Sequence, residues 1–473
     1  MCSVRRRERC DNRRLRILHA IHDFLPRHQA GSEIYALDLC RELSARHSVA
    51  ILCADYDPTR RHGDVVWRVF DGLTVVEIIN NWIGDSFEDT YRPPLIADRI
   101  RRVLHAIQPD VLHVHNLMNL TFDLPSIARA HGIPVVATLH DYSLVCASGG
   151  QRIHAAESHV CDVIDSGRCV RCFRQSPYFK QLAFGKVASV THRPGWMSRA
   201  VVATARRLPK VAAQAMRSIR DSPIVSITPA DVERRTAAAR GAFECIDLAV
   251  APSRSIASEF ARLGFDTAKI RISDYGFVPL ERARRAEVRP PVRLGFVGTL
   301  VWHKGVHVLL DALRSLPSDS YTLSIFGDTG TFPEYVASLR RQAAGLPVTF
   351  KEAFGRHETA AVYAAIDLLV VPSIWMENSP LVVHEAFMAG VPVVGARMGG
   401  IADLVEDGIN GLLYDAHSAT DLRRVLQALI DRPTEITALS ARAPSVKPMP
   451  TEAIEWERAY ADVCSCGNRE RRA

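Results

Sequence analysis

The sequence predicts an α/β protein of two domains, each built on a doubly wound parallel sheet, and three observations carry that reading. At 473 residues the chain is long enough for two or three domains of ordinary size. With 47% hydrophobic and 23% charged residues it can bury sizeable cores, which excludes a disordered, collagen-like or disulfide-scaffold chain. Short apolar runs bounded by turn residues alternate with stretches of helical period, stop at a charged, proline-containing segment (281–291, ERARRAEVRPP), and then start again.

This allots residues 1–14 to a basic disordered tail, 15–280 to a first domain, 281–291 to a linker and 292–445 to a second domain. A closing helix over 451–463 could pack on either. In the first domain LRILHAI, SVAILCA, TVVEII, VLHVHN and VVATLH read as strands. Between them EIYALDLCRELSARH and PLIADRIRRVLHAI place Leu, Ile and Val at three- and four-residue steps, as amphipathic helices do. In the second domain VRLGFVG, YTLSIFG, VTFKE, DLLVVPS and VPVVGA are the strands, and helices fall at 306–316, 334–344, 358–365, 380–389 and 401–406. Paired doubly wound domains place a ligand in the cleft outside the carboxyl ends of their strands, so the loops after the strands are where chemistry is expected.

The net charge of +7 is local. Residues 1–16 hold seven Arg against Glu8 and Asp11, and residues 174–223 hold ten Lys or Arg against Asp221 alone, so the remainder is slightly acidic. Such a distribution disfavours nucleic acid as a partner. In the second basic stretch Tyr178, Phe179, Phe184 and Trp196 interleave with Lys180, Lys186, Arg193 and Arg199, a mixture suited to an anionic membrane surface or a lipid-pyrophosphate acceptor. A solvated pair of helices is the alternative. No run of about 18 apolar residues and no secretory h-region is present, so a cytoplasmic protein is expected, docked at the inner face of the membrane if the basic stretch binds lipid.

Eleven cysteines over so long a chain suggest reduced thiols rather than a disulfide framework. Four of them, Cys146, Cys161, Cys169 and Cys172, form a C-x14-C-x7-C-x2-C set in a polar insertion spanning about 146–223. A structural zinc would fold a loop too polar to build its own core, with His154 and His159 as substitute ligands. An iron–sulfur cluster, a redox CxxC and unligated thiols are the other readings.

In the second domain Ser379 and Pro380 read as N-cap and N1 of a helix that Gly390 stops. Its free amides near Leu381 and Val382 suit a phosphate. Glu377 before that helix and Glu385 within it offer carboxylates for the hydroxyls of a ribose and a sugar. Gly399 and Gly400 precede another helix, where their amides could approach a ligand. Gly298, Thr299 and then Lys304 with Gly305 follow the domain's first strand, and Lys304 is a point charge suited to a diphosphate. No G-x-G-x-x-G follows the first strand of the chain, which disfavours a dehydrogenase.

Taken together these motifs resemble the retaining glycosyltransferases of family 4, also called group 1 glycosyl transferases, which have the GT-B fold. Glu377 and Glu385 match the family's E-x7-E, and Gly298, Leu300, Lys304 and Gly305 its G-x-L-x3-K-G. AGSEIYALDLCREL, QPDVLHVHN, IPVVATLHDY and DLAVAPS resemble elements of its amino half, and the likeness runs from about Leu15 to Asp421. The resemblance implies two Rossmann-like domains facing across a cleft and a nucleotide-diphosphate sugar as donor. It implies a glycan or lipid-linked acceptor, and no metal required for chemistry. Glu385 would then hold the ribose and Glu377 the donor sugar. Gly31, Lys304 and residues Ser379, Pro380, Leu381 and Val382 would surround the diphosphate. His140 would sit near the anomeric carbon, with His115, Asn116 and Asp141 on the acceptor side. Many members carry Arg where this chain has Thr299, so leaving-group stabilisation would lean on Lys304, the helix terminus and His303 or Arg397. Retention would proceed by front-face attack, the departing phosphate taking the acceptor's proton. Rival functions are a nucleotide-sugar 2-epimerase of the same fold and a silent scaffold that binds sugar nucleotide.

Overall fold

The computed structural model describes residues 14–154, 157, 159–190, 226–280 and 287–470. The basic tail, residues 281–286 of the expected linker, and Arg193, Trp196 and Arg199 of the basic stretch lie outside them, as do the side chains of Phe184 and Lys186. The chain divides into two compact units. Residues 1–251, 260–273 and 449–473 form the first, and residues 252–259 and 274–448 the second.

In the first unit β1 (Arg16–Ile21), α1 (Gly31–Ser44), β2 (Ser48–Asp55), β3 (Val65–Phe70) and β4 (Leu73–Ile79) come first, followed by α2 (Pro94–Ile107) and β5 (Val111–Val114). After α3 (Leu124–Ala130) and β6 (Val135–Thr138) the insertion supplies a short hairpin, β7 (Ile153–His154) and β8 (His159–Val160), and the helices α4 (Ser166–Gln175) and α5 (Pro177–Val190). Then α6 (Pro229–Glu244), β9 (Leu248–Ala251) and β10 (Ile270–Ile272) complete an eight-stranded sheet ordered β10-β9-β6-β5-β1-β2-β4-β3. Every neighbouring pair is parallel except β3 with β4. The expected strands do not include β3: its side chains alternate half-buried and exposed, with Trp67 and Val69 outward, which is an edge hairpin rather than a βα unit.

The second unit holds β11 (Val292–Val297), α7 (Val306–Leu313), β12 (Tyr321–Phe326), α8 (Pro333–Gln342), β13 (Val348–Lys351), α9 (Thr359–Ala364) and β14 (Leu368–Val371). It continues with α10 (Leu381–Met388), β15 (Val393–Ala396), α11 (Gly399–Leu404), β16 (Gly411–Tyr414), α12 (Ala419–Asp431) and α13 (Pro433–Ala441). Its six-stranded parallel sheet runs β13-β12-β11-β14-β15-β16. Strand β14 reads as an unbroken apolar run, and β11 as one broken only by the exposed Arg293, because both sheet faces are covered: Leu294, Phe296, Leu368 and Val370 pack in one core, and Leu369 and Val371 in another.

Each sheet reverses its order beside its first strand, at β1/β5 and at β11/β14, so each has one crevice where the loops from adjacent strands splay apart. The loops after β11 and β14 carry Gly298 to Gly305 and Ser373 to Pro380, and the loops after β1 and β5 carry Gly31's approach and His115 with Asn116.

The closing helix is longer than expected. It is α14 (Met449–Glu470) and belongs to the first unit. Glu452 Oε1 accepts hydrogen bonds from Tyr35 Oη on α1 (2.5 Å) and from its own helix's Trp456 Nε1 (2.9 Å), all three groups being buried. A polar core of this kind is stable only when its members satisfy one another.

Candidate functional site

In the second unit the loop after β11 turns at Gly298 and runs through Lys304 to Gly305, whose φ is +72°. A Cβ at Gly305 would lie 1.8 Å from the carbonyl oxygen of Pro372, so only glycine lets this loop close on the one after β14. The closure is pinned by Ile374, whose amide donates to the His303 carbonyl at 2.9 Å. It brings together two residues that the sequence places 73 positions apart: Lys304 Nζ donates to Glu377 Oε1 at 2.6 Å. Ser373 Oγ donates to the same oxygen at 2.7 Å, and the Lys304 ammonium stands 5.4 Å from the ring centroid of Trp375. Burial alone would raise the Glu377 carboxyl, but Lys304 and Ser373 hold it below its ordinary value, so it is ionised at neutral pH. Burial, with Lys304 beside it, pushes His303 down to about 4. Thr299 is exposed, and Arg397 is paired with Asp407 at 2.7 Å.

Glu385 sits in the second turn of α10, where Tyr363 Oη donates to its Oε2 at 2.9 Å. Burial raises this carboxyl despite Tyr363, the reverse of Glu377. The helix begins one residue later than expected, with Pro380 rather than Ser379 at its N-cap. The Ser379 hydroxyl is already spent: it donates to Asp274 Oδ1 at 2.8 Å and lies 2.9 Å from His384 Nε2. Gly390, at φ +71°, ends the helix as expected, with the Val391 amide donating to the Ala386 carbonyl at 2.7 Å.

Gly399 and Gly400 lie against the backbone that carries Glu377. They are the first residues of α11, and the Gly400 amide donates to the Glu377 carbonyl at 2.6 Å. Cβ atoms there would lie 2.5 Å from the Glu377 carbonyl oxygen and 1.7 Å from that of Asn378. The missing side chains make room for the backbone that carries Glu377.

In the first unit His140 follows β6. Its Nε2 lies 2.9 Å from His115 Nδ1, and Tyr35 stands edge-on to its ring at 5.2 Å. Asn116 Nδ2 donates to Asp141 Oδ2 and the Ser143 amide to Oδ1, so two of the residues expected on the acceptor side are bonded to each other, while His115 is bonded to His140. Burial raises the Asp141 carboxyl even so.

Two features escaped the sequence reading. His19 on β1 stands opposite His113 on β5, and both are fully buried. A histidine inside each of two apolar strands was the available signal, since a buried imidazole demands partners. The other is Glu33, fully buried in the first turn of α1, with His22 Nε2 at 3.2 Å and His28 Nδ1 at 3.3 Å. Its Oε2 also accepts from the Ala30 amide at 3.1 Å, closing the loop that carries Gly31. Burial would raise Glu33, but His28 and His22 outweigh it and hold the carboxyl at about 2, against an ordinary 4.5. A depressed carboxyl stabilises the fold above its unfolded value and loses that contribution as pH falls from about 4.5 through about 2. Replacing Glu33 with Gln is expected to cost on the order of 3 kcal/mol at pH 7 and to flatten the fall of the urea midpoint over that acid window.

The four cysteines of the insertion are free thiols, each half-buried. Burial, then the neighbouring thiols, push Cys161 up to about 11 and Cys169 up to about 12. A tetrahedral zinc with bonds of about 2.3 Å needs its sulfurs roughly 3.8 Å apart. Among the described residues, the sets of three metal-capable groups lying within 4.8 Å of one another are His19–His113–His115 and His22–His28–Glu33, and the cysteines form no such set. As they stand, they do not fit the metal. The insertion packs on the body of the first unit: Phe173 and Phe179 are buried, and Phe173 stands edge-on to Phe87 at 4.9 Å. With Tyr178 stacked on Trp82, two of the aromatics expected at a lipid surface are engaged inside the unit. Among the described residues no helix is long and apolar enough to cross a membrane.

Comparison with known proteins agrees with these loops. Residues 279–445 match the family Glycosyl transferases group 1, and residues 30–158 match Glycosyltransferase Family 4. D-inositol 3-phosphate glycosyltransferase of Rhodococcus opacus is 35% identical over 171 residues, which are 34% of this chain and 37% of that protein. GDP-mannose-dependent alpha-mannosyltransferase of Corynebacterium glutamicum is 35% identical over 182 residues, 37% and 41% of the two chains. The chain thus spans about two fifths of the length of these relatives. Among solved structures, Anabaena HepE in complex with UDP and glucose superposes with a TM-score of 0.58 at 16% identity, over 94% of this chain and 99% of that one. Sucrose-phosphate synthase from Thermosynechococcus elongatus gives 0.57 at 17% identity, over 97% and 99%. At such identities the structures establish the fold, which is GT-B. With one matched stretch in each unit, the chain is a member of the group 1, or family 4, glycosyltransferases.

Proposed function

We propose that the protein transfers a sugar, with retention of anomeric configuration, from a nucleotide-diphosphate sugar to a glycan or lipid-linked acceptor, in the building of a surface polysaccharide. The observation that carries this is the Lys304–Glu377 pair at the β11/β14 crevice, with Glu385 in the second turn of the adjoining helix. Breaking the sugar–phosphate bond builds negative charge on the diphosphate. Lys304 and the first amides of α10 stabilise that charge more in the transition state than in the ground state. Glu377 holds Lys304 in place and is itself kept ionised to accept hydrogen bonds from sugar hydroxyls. Glu385, oriented by Tyr363, accepts those of the ribose. His140 contacts the sugar near its reacting carbon, and Asn116 and Asp141 shape the acceptor side. The acceptor attacks the face the phosphate leaves, and the phosphate takes its proton.

The relatives bear on the donor in two directions, one being named for GDP-mannose and a structural neighbour holding UDP. Calorimetric titration of UDP, GDP and ADP, and of UDP-glucose and GDP-mannose, names the base. Glu385→Ala is expected to weaken the bound nucleotide by about 1.5–3 kcal/mol, the range for a hydrogen bond to a charged group. Absence of binding to every nucleotide by the folded protein would sink this reading, and binding without any turnover would favour the scaffold. A free epimer released without acceptor would favour the epimerase.

We further propose that the basic stretch 174–223 docks the enzyme on anionic membrane. It rests on the clustered charge of that stretch. Reversing charge at Arg206, Arg207 and Lys210, which lie outside the described residues, is expected to abolish sedimentation with anionic liposomes, and unchanged sedimentation refutes the idea.

A further inference from the structure

Behind His140 runs a line of buried imidazoles that sugar transfer as described does not use. His140 Nε2 lies 2.9 Å from His115 Nδ1, and His115 Nε2 lies 2.9 Å from His19 Nδ1. His113 stacks on His115 at 4.2 Å and is itself held by Tyr460 Oη on α14 (2.7 Å) and by Thr138 Oγ1 (2.8 Å). Burial drives His19 and His140 down to about 3 and His115 well below its ordinary value, so all three are neutral at pH 7.

A neutral imidazole has one N–H and one lone pair. The two bonds of the line must therefore point the same way, both toward His140 or both away from it. The line ends at His19 Nε2, which is buried and has no hydrogen-bond partner among the described residues. Protons pointing away from His140 would leave an orphaned N–H there, whereas protons pointing toward His140 leave a bare lone pair. Buried N–H groups without partners are the rarer of the two in folded proteins, so the second arrangement prevails. His19 Nδ1 then donates to His115, and His115 Nδ1 donates to His140 Nε2.

We propose that His19 and His115 are positioning residues that lock His140 in its Nδ1–H tautomer, so that His140 serves sugar transfer as a hydrogen-bond donor and not as a base. This rests on the sugar-contacting role given to His140 above, but the tautomer is open to measurement without it. His19 is deep in the central sheet and touches no part of the expected substrate, which is why a change there discriminates.

The test uses the full chain as wild type, His19→Asn and His19→Phe. Asparagine carries an N–H close to where His19 has Nδ1–H, and phenylalanine fills the space without one. Turnover is followed with UDP-glucose or GDP-mannose, whichever binds. His19→Phe is expected to lower kcat at least tenfold with donor KM within threefold, and His19→Asn to stay within threefold of wild type. Equal activity of the two variants, or equal loss in both, overturns the proposal. Two-bond 15N spectra of histidine-labelled wild type are expected to show His140 protonated at Nδ1. Protonation at Nε2 overturns the proposal, even where His19→Phe fails to fold. Because the His19, His113 and His115 nitrogens lie within 4.8 Å of one another, metal content is measured as well. One equivalent of transition metal retained by wild type and lost in His19→Asn also overturns it. Wild type that binds no nucleotide, yet shows Nδ1–H at His140, refutes the transferase reading and leaves the tautomer lock standing.

Discussion

Lys304→Met is expected to lower turnover by about 10²–10³-fold, the usual loss when one group aimed at developing charge is removed from an active site. The effect should fall on kcat more than on donor KM, because charge on the diphosphate grows as the bond breaks. The same change leaves Glu377 buried with only the Ser373 hydroxyl on Oε1, so its carboxyl should rise and the second unit should lose stability. Lys304 is itself a quarter exposed, which reduces the cost from that of a fully buried broken pair to about 1–3 kcal/mol. Adding Glu377→Gln removes the orphaned charge. The double variant should regain most of the stability and none of the activity, a separation that a purely structural pair would not show. Full activity in Lys304→Met would remove leaving-group stabilisation from the account of this loop.

Gly305→Ala should be still more severe for the fold. The new methyl would stand 1.8 Å from the Pro372 carbonyl oxygen, at a φ of +72° that alanine resists. The loops after β11 and β14 would have to part, breaking the Ile374-to-His303 hydrogen bond and the Lys304–Glu377 contact together. A loss of about 3 kcal/mol or more in urea unfolding, with loss of nucleotide binding, is expected. Gly241→Ala is the matched control. It lies in α6 with nothing within 4 Å of the added carbon, and should stabilise the protein by about 0.5–1 kcal/mol. Equal stability of the two variants would show that close approach at Gly305 is not what holds the loops together.

The buried parallel strands were legible because a continuous apolar run between turn residues has few other uses, and β1, β2, β5, β6, β11, β12, β14 and β15 fall where those runs lie. The edge strand β3 was not, since it is half-exposed, alternates weakly and pairs antiparallel with β4, itself read as TVVEII. In the second unit, spacing named Lys304 and Glu377 separately. Their contact depends on Gly305 and on the loop-to-loop bond at Ile374, which are properties of two strands meeting rather than of either loop. The glycines 399 and 400 were visible as glycines, but their close approach to the backbone of Glu377 and Asn378 is a property of the folded loops and not of local spacing. For His19 the apolar strand around it signalled a buried imidazole in need of partners, but only the sheet order, which places β1 beside β5, says which partners those are.

The placement of α14 has a consequence for synthesis. Tyr35, near the start of the chain, is bonded to Glu452, and His113 to Tyr460, so the first unit is interrupted by the whole of residues 274–448. While a ribosome is still making the second unit, the first has its complete sheet but lacks the helix that caps Tyr35 and the histidine line. Those buried polar groups must wait, exposed to water, until residue 460 has left the exit tunnel. Maturation of the first unit is thereby made conditional on translation of the second, and a chain stalled within the second unit would hold a first unit unable to finish its interior.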